Sequence, residues 1–134
     1  MQRVWKGVST LIFIDKQSRV PIYEQLIEAI QQEILNGFWQ PGEVIPSVRS
    51  LSVELSVNPN TIQKAYNELE RLHITYSVPG VGRYISTEAV NIVRKQKANA
   101  HEELKQAVSD LKASGMGLEE LLEWVKIYYG GDMQ

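Results

Sequence analysis

Between residues 58 and 72 of this 134-residue chain, Asn60, Gln63, Lys64, Asn67 and Arg71 recur at helical spacing and fall on one face. Side-chain amides carry a donor and an acceptor side by side, which suits the paired groups on base edges, and cations neutralise phosphates. This combination points to nucleic-acid recognition. The other face carries Ile62, Ala65, Leu69 and Leu72, spaced i, i+3, i+7 and i+10, with Tyr66 at the edge of the stripe. A helix so divided lays its stripe on a core and turns its amides outward. Asn58 before Pro59 supplies an amide cap and an N1 proline, so its first role is the cap and any DNA contact comes second. Thr61, Gln63 and Lys64 lie off the stripe, where the alternative to groove contact is an ordinary solvated helix face.

Positioning that helix requires a second one. Ser47 is a hydroxyl N-cap ahead of 48–55, and Ser56-Val57 leaves room only for a sharp turn, so 46–72 reads as a helix-turn-helix. Beyond it, 74–78 and 83–86 are β-branched and aromatic runs around Pro79-Gly80-Val81-Gly82, the pattern of a hairpin wing. Upstream, Pro21-Ile22-Tyr23 opens a helix with Ile22, Leu26, Ile30, Ile34 and Leu35 on one face, closed by Asn36-Gly37. The short apolar run Leu11–Ile14 fits an extra strand, and Trp39 reads as an anchor for the connection after the first helix. The predicted fold is mainly α with a small β-wing: a winged helix-turn-helix domain over 11–86, with its own core from Ile22, Leu26, Ile30, Leu51, Leu55, Ile62, Leu69 and Ile85.

The remaining residues, 87–134, predict a C-terminal helical dimerisation region. Val90, Val93, Lys97, Ala100, Leu104, Ala107 and Leu111 alternate steps of three and four, a heptad stripe with one polar interruption. Gly115-Met116-Gly117 breaks it, and Leu118, Leu121, Leu122 and Val125 mark a second amphipathic helix. Two such helices on a short turn form an antiparallel hairpin whose apolar face is buried most economically against another copy. Val93, Ala100, Leu104, Leu111, Leu121, Leu122 and Val125 are therefore assigned to a dimer interface, with Trp124 at its edge.

Three blocks in this order resemble the GntR family of bacterial transcription regulators: 21–26, Pro41 to Arg49, and 57–70, continued by Gly80-Val81-Gly82-Arg83-Tyr84-Ile85. The Asn-Pro-Asn-Thr sequence at 58–61 and the short tail look most like the YtrA subfamily, whose members carry two helices after the winged helix. The resemblance implies a homodimeric repressor on an inverted-repeat, double-stranded DNA operator, often controlling transporter genes. It also implies that Arg49 contacts base and phosphate. With Ser47, Asn58, Asn60, Thr61, Gln63, Lys64, Gly80, Gly82 and Arg83, it completes the candidate DNA-binding set. Gly80 and Gly82 serve the turn first, and Arg83 is divided between phosphate contact and solvation. The chain departs from the family at Ile45, at Val81 between the wing glycines, and at His73, where relatives place a glycine.

Charge tempers the reading. The chain carries a formal net charge of -2. Between 46 and 83, however, Arg49, Lys64, Arg71 and Arg83 outnumber Glu54, Glu68 and Glu70, and in 1–19 Arg3, Lys6, Lys16 and Arg19 face Asp15 alone. So small a basic footprint per subunit implies that two subunits act together. The alternative reading is a winged helix used as a protein-interaction module. Enzyme chemistry is not expected, because no nucleophile–base pair, metal cluster or nucleotide loop can be assembled. Neither a metal nor a cofactor is expected, and any small-molecule effector is left open. The absence of cysteine suits a reducing cytoplasm. The run Val8–Ile14 mimics part of a signal peptide, but Asp15-Lys16 comes next without a cleavage site, and no apolar run approaches the ~20 residues of a membrane span.

Overall fold

A computed structural model of the chain describes residues 12–130. In order, it contains α1 (Ile22–Leu35), α2 (Val48–Leu55), α3 (Pro59–Arg71), β1 (Thr75–Val78), β2 (Gly82–Ile85), α4 (Ala89–Ala113) and α5 (Leu118–Gly130). Local chemistry sets these limits. The Ser47 hydroxyl accepts from the Ser50 amide at 3.0 Å, and the Asn58 side-chain oxygen accepts from the Asn60 amide at 2.7 Å, so α2 and α3 each start at the expected cap. The wing pairs antiparallel from Thr75 with Ile85 to Val78 with Gly82, and the turn between the strands holds Gly80 at φ +77°.

Packing obeys the apolar stripes. Leu26, Ile30 and Ile34 of α1, Leu51 of α2, and Ile62, Ala65 and Leu69 of α3 meet Ile74 and Ile85 in one buried cluster. Each buried leucine or isoleucine contributes roughly 1.5–3 kcal/mol relative to leaving it in water. Of the expected core, Ile22 and Leu55 are only half-buried and pack against its margin. Trp39 is 1% exposed and anchors the α1–α2 connection, as its setting suggests.

The structure corrects two expectations. Ile12–Ile14 form no strand, and Leu11 lies outside the described residues. The segment is held instead by Gln25, whose Oε1 accepts from the Asp15 amide at 2.9 Å while its Nε2 donates to the carbonyls of Asp15 and Val20. Val93, placed in the dimer seam by its heptad position, is 0% exposed and belongs to the winged helix's own core together with Ala89. The reason is that α4 begins by packing on α1, where Gln31 Nε2 donates to Gln96 Oε1 at 2.9 Å and Lys97 pairs with Glu28 at 3.2 Å. A heptad stripe specifies an apolar face, not which element covers it.

Among the described residues, the non-glycine residues Ser56, which ends α2, and His73, just after α3, hold left-handed backbone at φ 54° and 65°. Both turns are buttressed. Lys16 Nζ donates to the Ser56 carbonyl at 2.7 Å, and the Ser86 hydroxyl donates to the His73 carbonyl at 2.9 Å.

Candidate nucleic-acid interface

The polar face of α3, the start of α2 and the wing lie on one side of the domain. Ser47, Arg49, Asn58, Asn60, Lys64 and Gly80 are exposed there, while Thr61, Gln63, Gly82 and Arg83 are partly covered. Between the start of α2 and the wing turn lies an open cleft of about 460 Å³, bordered by Ser47, Tyr66, Ser77, Gly80, Gly82 and Arg83. The exposed N-terminal turn of α3 carries an unobstructed amide in Asn60, the arrangement a helix needs to present side chains into a major groove.

Several of the candidates are already engaged within the chain. Lys64 Nζ lies 3.9 Å from the centre of the Tyr23 ring, a cation–π contact that draws α3 onto α1. Arg83 is partly covered and held within the chain: its Nε donates to Glu70 at 3.3 Å, its Nη2 donates to Asn67 at 3.4 Å, and its side chain is 21% exposed. Its Cζ lies 5.3 Å from the Tyr66 ring centre. The hydroxyl of Ser77 in β1 donates to the same Glu70 oxygen at 2.7 Å, so Glu70 ties both wing strands to α3. Arg71 is held by Glu68 through two hydrogen bonds, and the bond from Arg71 keeps the Glu68 carboxyl below the usual carboxylate range.

Sequence reasoning misses the roles of Tyr66, Asn67 and Glu70. Asn67 stands on the polar face but outside the candidate set. Tyr66, placed at the stripe's edge, is 1% exposed and donates to the Pro46 carbonyl at 2.8 Å. The available signal is the wing itself: a hairpin that returns to pack on α3 brings Ser77 and Arg83, cross-strand partners in register, onto the residues one turn apart that they contact.

In the C-terminal region, Ala100, Leu104, Leu122 and Val125 are exposed, and Leu111 and Leu121 are half-buried. A groove of about 520 Å³ runs between α4 and α5, lined by Leu104, Leu111, Leu121, Trp124, Val125 and Tyr128. No helix among the described residues is long and apolar enough to cross a membrane.

A helix-turn-helix with a two-stranded wing, amides and cations on the outer face of its second helix, defines a winged-helix DNA-binding regulator. The chain belongs to the family of bacterial regulatory proteins named gntR, whose match spans residues 22–85. It is 43% identical over 117 residues to the HTH-type transcriptional repressor YtrA of Bacillus subtilis, covering 87% of this chain and 90% of that one. Among solved structures, a GntR family transcriptional regulator from Listeria monocytogenes is 35% identical with a TM-score of 0.59, over 84% of this chain and 97% of its own. AraR(DBD) in complex with operator ORX1 is 32% identical, with a TM-score of 0.50 over 55% of this chain and 92% of its own.

Proposed function

We propose that the chain is a cytoplasmic repressor that grips an inverted-repeat operator as a homodimer, with residues 11–86, completed by the first turns of α4, as its DNA-binding unit and the rest of 87–134 as its dimerisation unit. The observation that carries this reading is the pairing of two unsatisfied surfaces. One is the polar, outward face of α3. The other is the apolar groove between α4 and α5, where Leu104 is 57% and Val125 43% exposed. Monomeric proteins rarely leave so continuous an apolar strip in water, and a second copy of the same hairpin covers it in a self-complementary way. Repression is supported by the similarity to the Bacillus repressor, and operator binding by the similarity to AraR in its operator complex.

In this arrangement Arg49, Asn60, Thr61 and Gln63 enter the major groove, and Lys64 beside them neutralises phosphate. Ser47, Asn58, Gly80, Gly82 and Arg83 border the phosphate backbone. Two recognition helices address half-sites about 34 Å apart, one turn of duplex. The test is anisotropy with a duplex enriched from the protein's own genome, against random duplex of equal length. The reading requires two protomers per duplex, preference for the enriched sequence, and an affinity that falls steeply with salt. Equal binding of both duplexes without salt dependence would replace it with a protein-interaction role for the winged helix.

A further inference from the structure

Gln63, at the centre of the outer face of α3, and Arg83, on the wing, meet at one atom. Gln63 Nε2 donates to Asn67 Oδ1 at 2.8 Å, and Arg83 Nη2 donates to the same oxygen at 3.4 Å. Arg83 is itself fixed by Glu70 and by the Tyr66 ring. A guanidinium has donors and no acceptor, so only the oxygen of the Asn67 amide can face it. At that oxygen, where Gln63 meets Asn67, Gln63 can approach only through its NH₂ group. The carbonyl oxygen of Gln63 and its second N–H are then left for whatever occupies the groove, in one fixed sense. An amide whose two ends ordinarily exchange roles is pinned here by a charge.

We infer that Arg83, acting through Asn67, sets the donor–acceptor sense of Gln63 and thereby makes this residue select adenine over guanine. The inference rests on the reading of α3 as the groove-reading helix. In the major groove adenine offers the N6 amino donor beside the N7 acceptor, and a glutamine with a free oxygen and one free N–H matches both. Guanine offers two acceptors, O6 and N7, and the pinned oxygen of Gln63 faces O6 lone pair to lone pair. A Gln63 free to turn would answer guanine through its NH₂ group. Arg83 and Asn67 are positioning residues: their contribution is a base preference, which neither a simple phosphate contact nor a packing role would supply.

The probe is a randomised duplex pool of about two helical turns, enriched separately with the wild-type protein and with each variant. The quantity read is the adenine-to-guanine ratio at the positions whose preference Gln63→Ala erases. In the wild-type pool that ratio is expected to be on the order of tenfold. Arg83→Ala should bring it close to one. Asn67→Ala, at an exposed helix position, removes one acceptor of Arg83 but leaves its bond to Glu70, and should do the same, which covers the case in which loss of Arg83 disturbs folding. The decisive variant is Arg83→Ala combined with Asn67→Asp. An aspartate carboxylate only accepts, so it restores the pin without the arginine, and the ratio should recover even if the added charge weakens binding to every sequence. A wild-type ratio in Arg83→Ala or in Asn67→Ala overturns the inference, as does a double variant whose ratio stays near one, or a Gln63→Ala pool identical to the wild-type pool. If the wild-type protein enriches no sequence at all, operator recognition itself fails. Enrichment that is indifferent to these substitutions sinks the relay alone.

Discussion

The Tyr66 hydroxyl donates to the Pro46 carbonyl at 2.8 Å inside the core, joining α3 to the residue that precedes the Ser47 cap of α2. The two helices of the motif thus share a buried polar bond as well as an apolar contact. Tyr66→Phe leaves that carbonyl without its donor and is expected to cost about 1–2 kcal/mol, read as a lower urea midpoint with unchanged slope. Burial holds the Tyr66 phenol well above its ordinary value of 10.0, with the Arg83 charge pulling the other way to a smaller extent. A folded-state pKa above the unfolded one means stability that is intact below about pH 10 and falls as pH rises beyond it. Tyr66→Phe should flatten that alkaline fall.

Arg49 and Lys64 separate readout from neutralisation. Arg49→Ala is expected to weaken operator binding by about 1–3 kcal/mol if the arginine grips a base in bidentate fashion. Lys64→Ala should weaken all duplexes alike and lower the salt slope by about one. Anisotropy titrations at several salt concentrations distinguish the two. Wild-type affinity in folded Arg49→Ala would remove that residue from the interface.

Val93 and Leu104 lie on the same helix and should fail differently. Val93→Ala opens a cavity in the winged-helix core and is expected to cost roughly 2 kcal/mol of stability without dissociating a dimer. Leu104→Asp places a charge in the exposed groove, so it should leave the head folded, yield monomers in sedimentation, and reduce operator affinity by orders of magnitude through lost effective concentration. A Leu104→Asp protein that sedimented as a dimer would show that another surface joins the subunits.

His73→Gly tests the strain after α3. A glycine adopts φ 65° without steric cost, although it also loosens the unfolded chain. The net expectation is a gain of about 0.5 kcal/mol in chemical denaturation, since left-handed backbone costs an ordinary residue about 1–2 kcal/mol. A loss would mean that the His73 side chain makes up the difference.

Much of the DNA-binding head is legible because its signals are local. Ser47 and Asn58 reveal their caps by residue type and by the helical pattern immediately after each, and Pro79 to Gly82 announces the wing turn. Distant pairings leave no such trace. Nothing near Lys64 in sequence points to the Tyr23 ring, and nothing near Arg83 points to Glu70, because the two wing strands must first fold back on α3. The heptad run is the amphipathic helix its spacing predicts, yet its first turns are satisfied by α1 and only its later positions remain open. Periodicity carries no address for the partner.

Helix α4 runs unbroken from Ala89 to Ala113, a rod of about 37 Å at the usual rise per residue, with one end sunk in the DNA-binding head. In the proposed dimer, a head mounted on such a rod would have little freedom to swivel on its partner, unlike one hung on a flexible tether. The distance and the angle between the two proposed heads would then be properties of the scaffold. One base pair inserted at the centre of a palindrome turns the far half-site by about 34° and displaces it by about 3.4 Å, since one turn takes about 10.5 base pairs. A rigid calliper of this kind would measure helical phase as well as sequence.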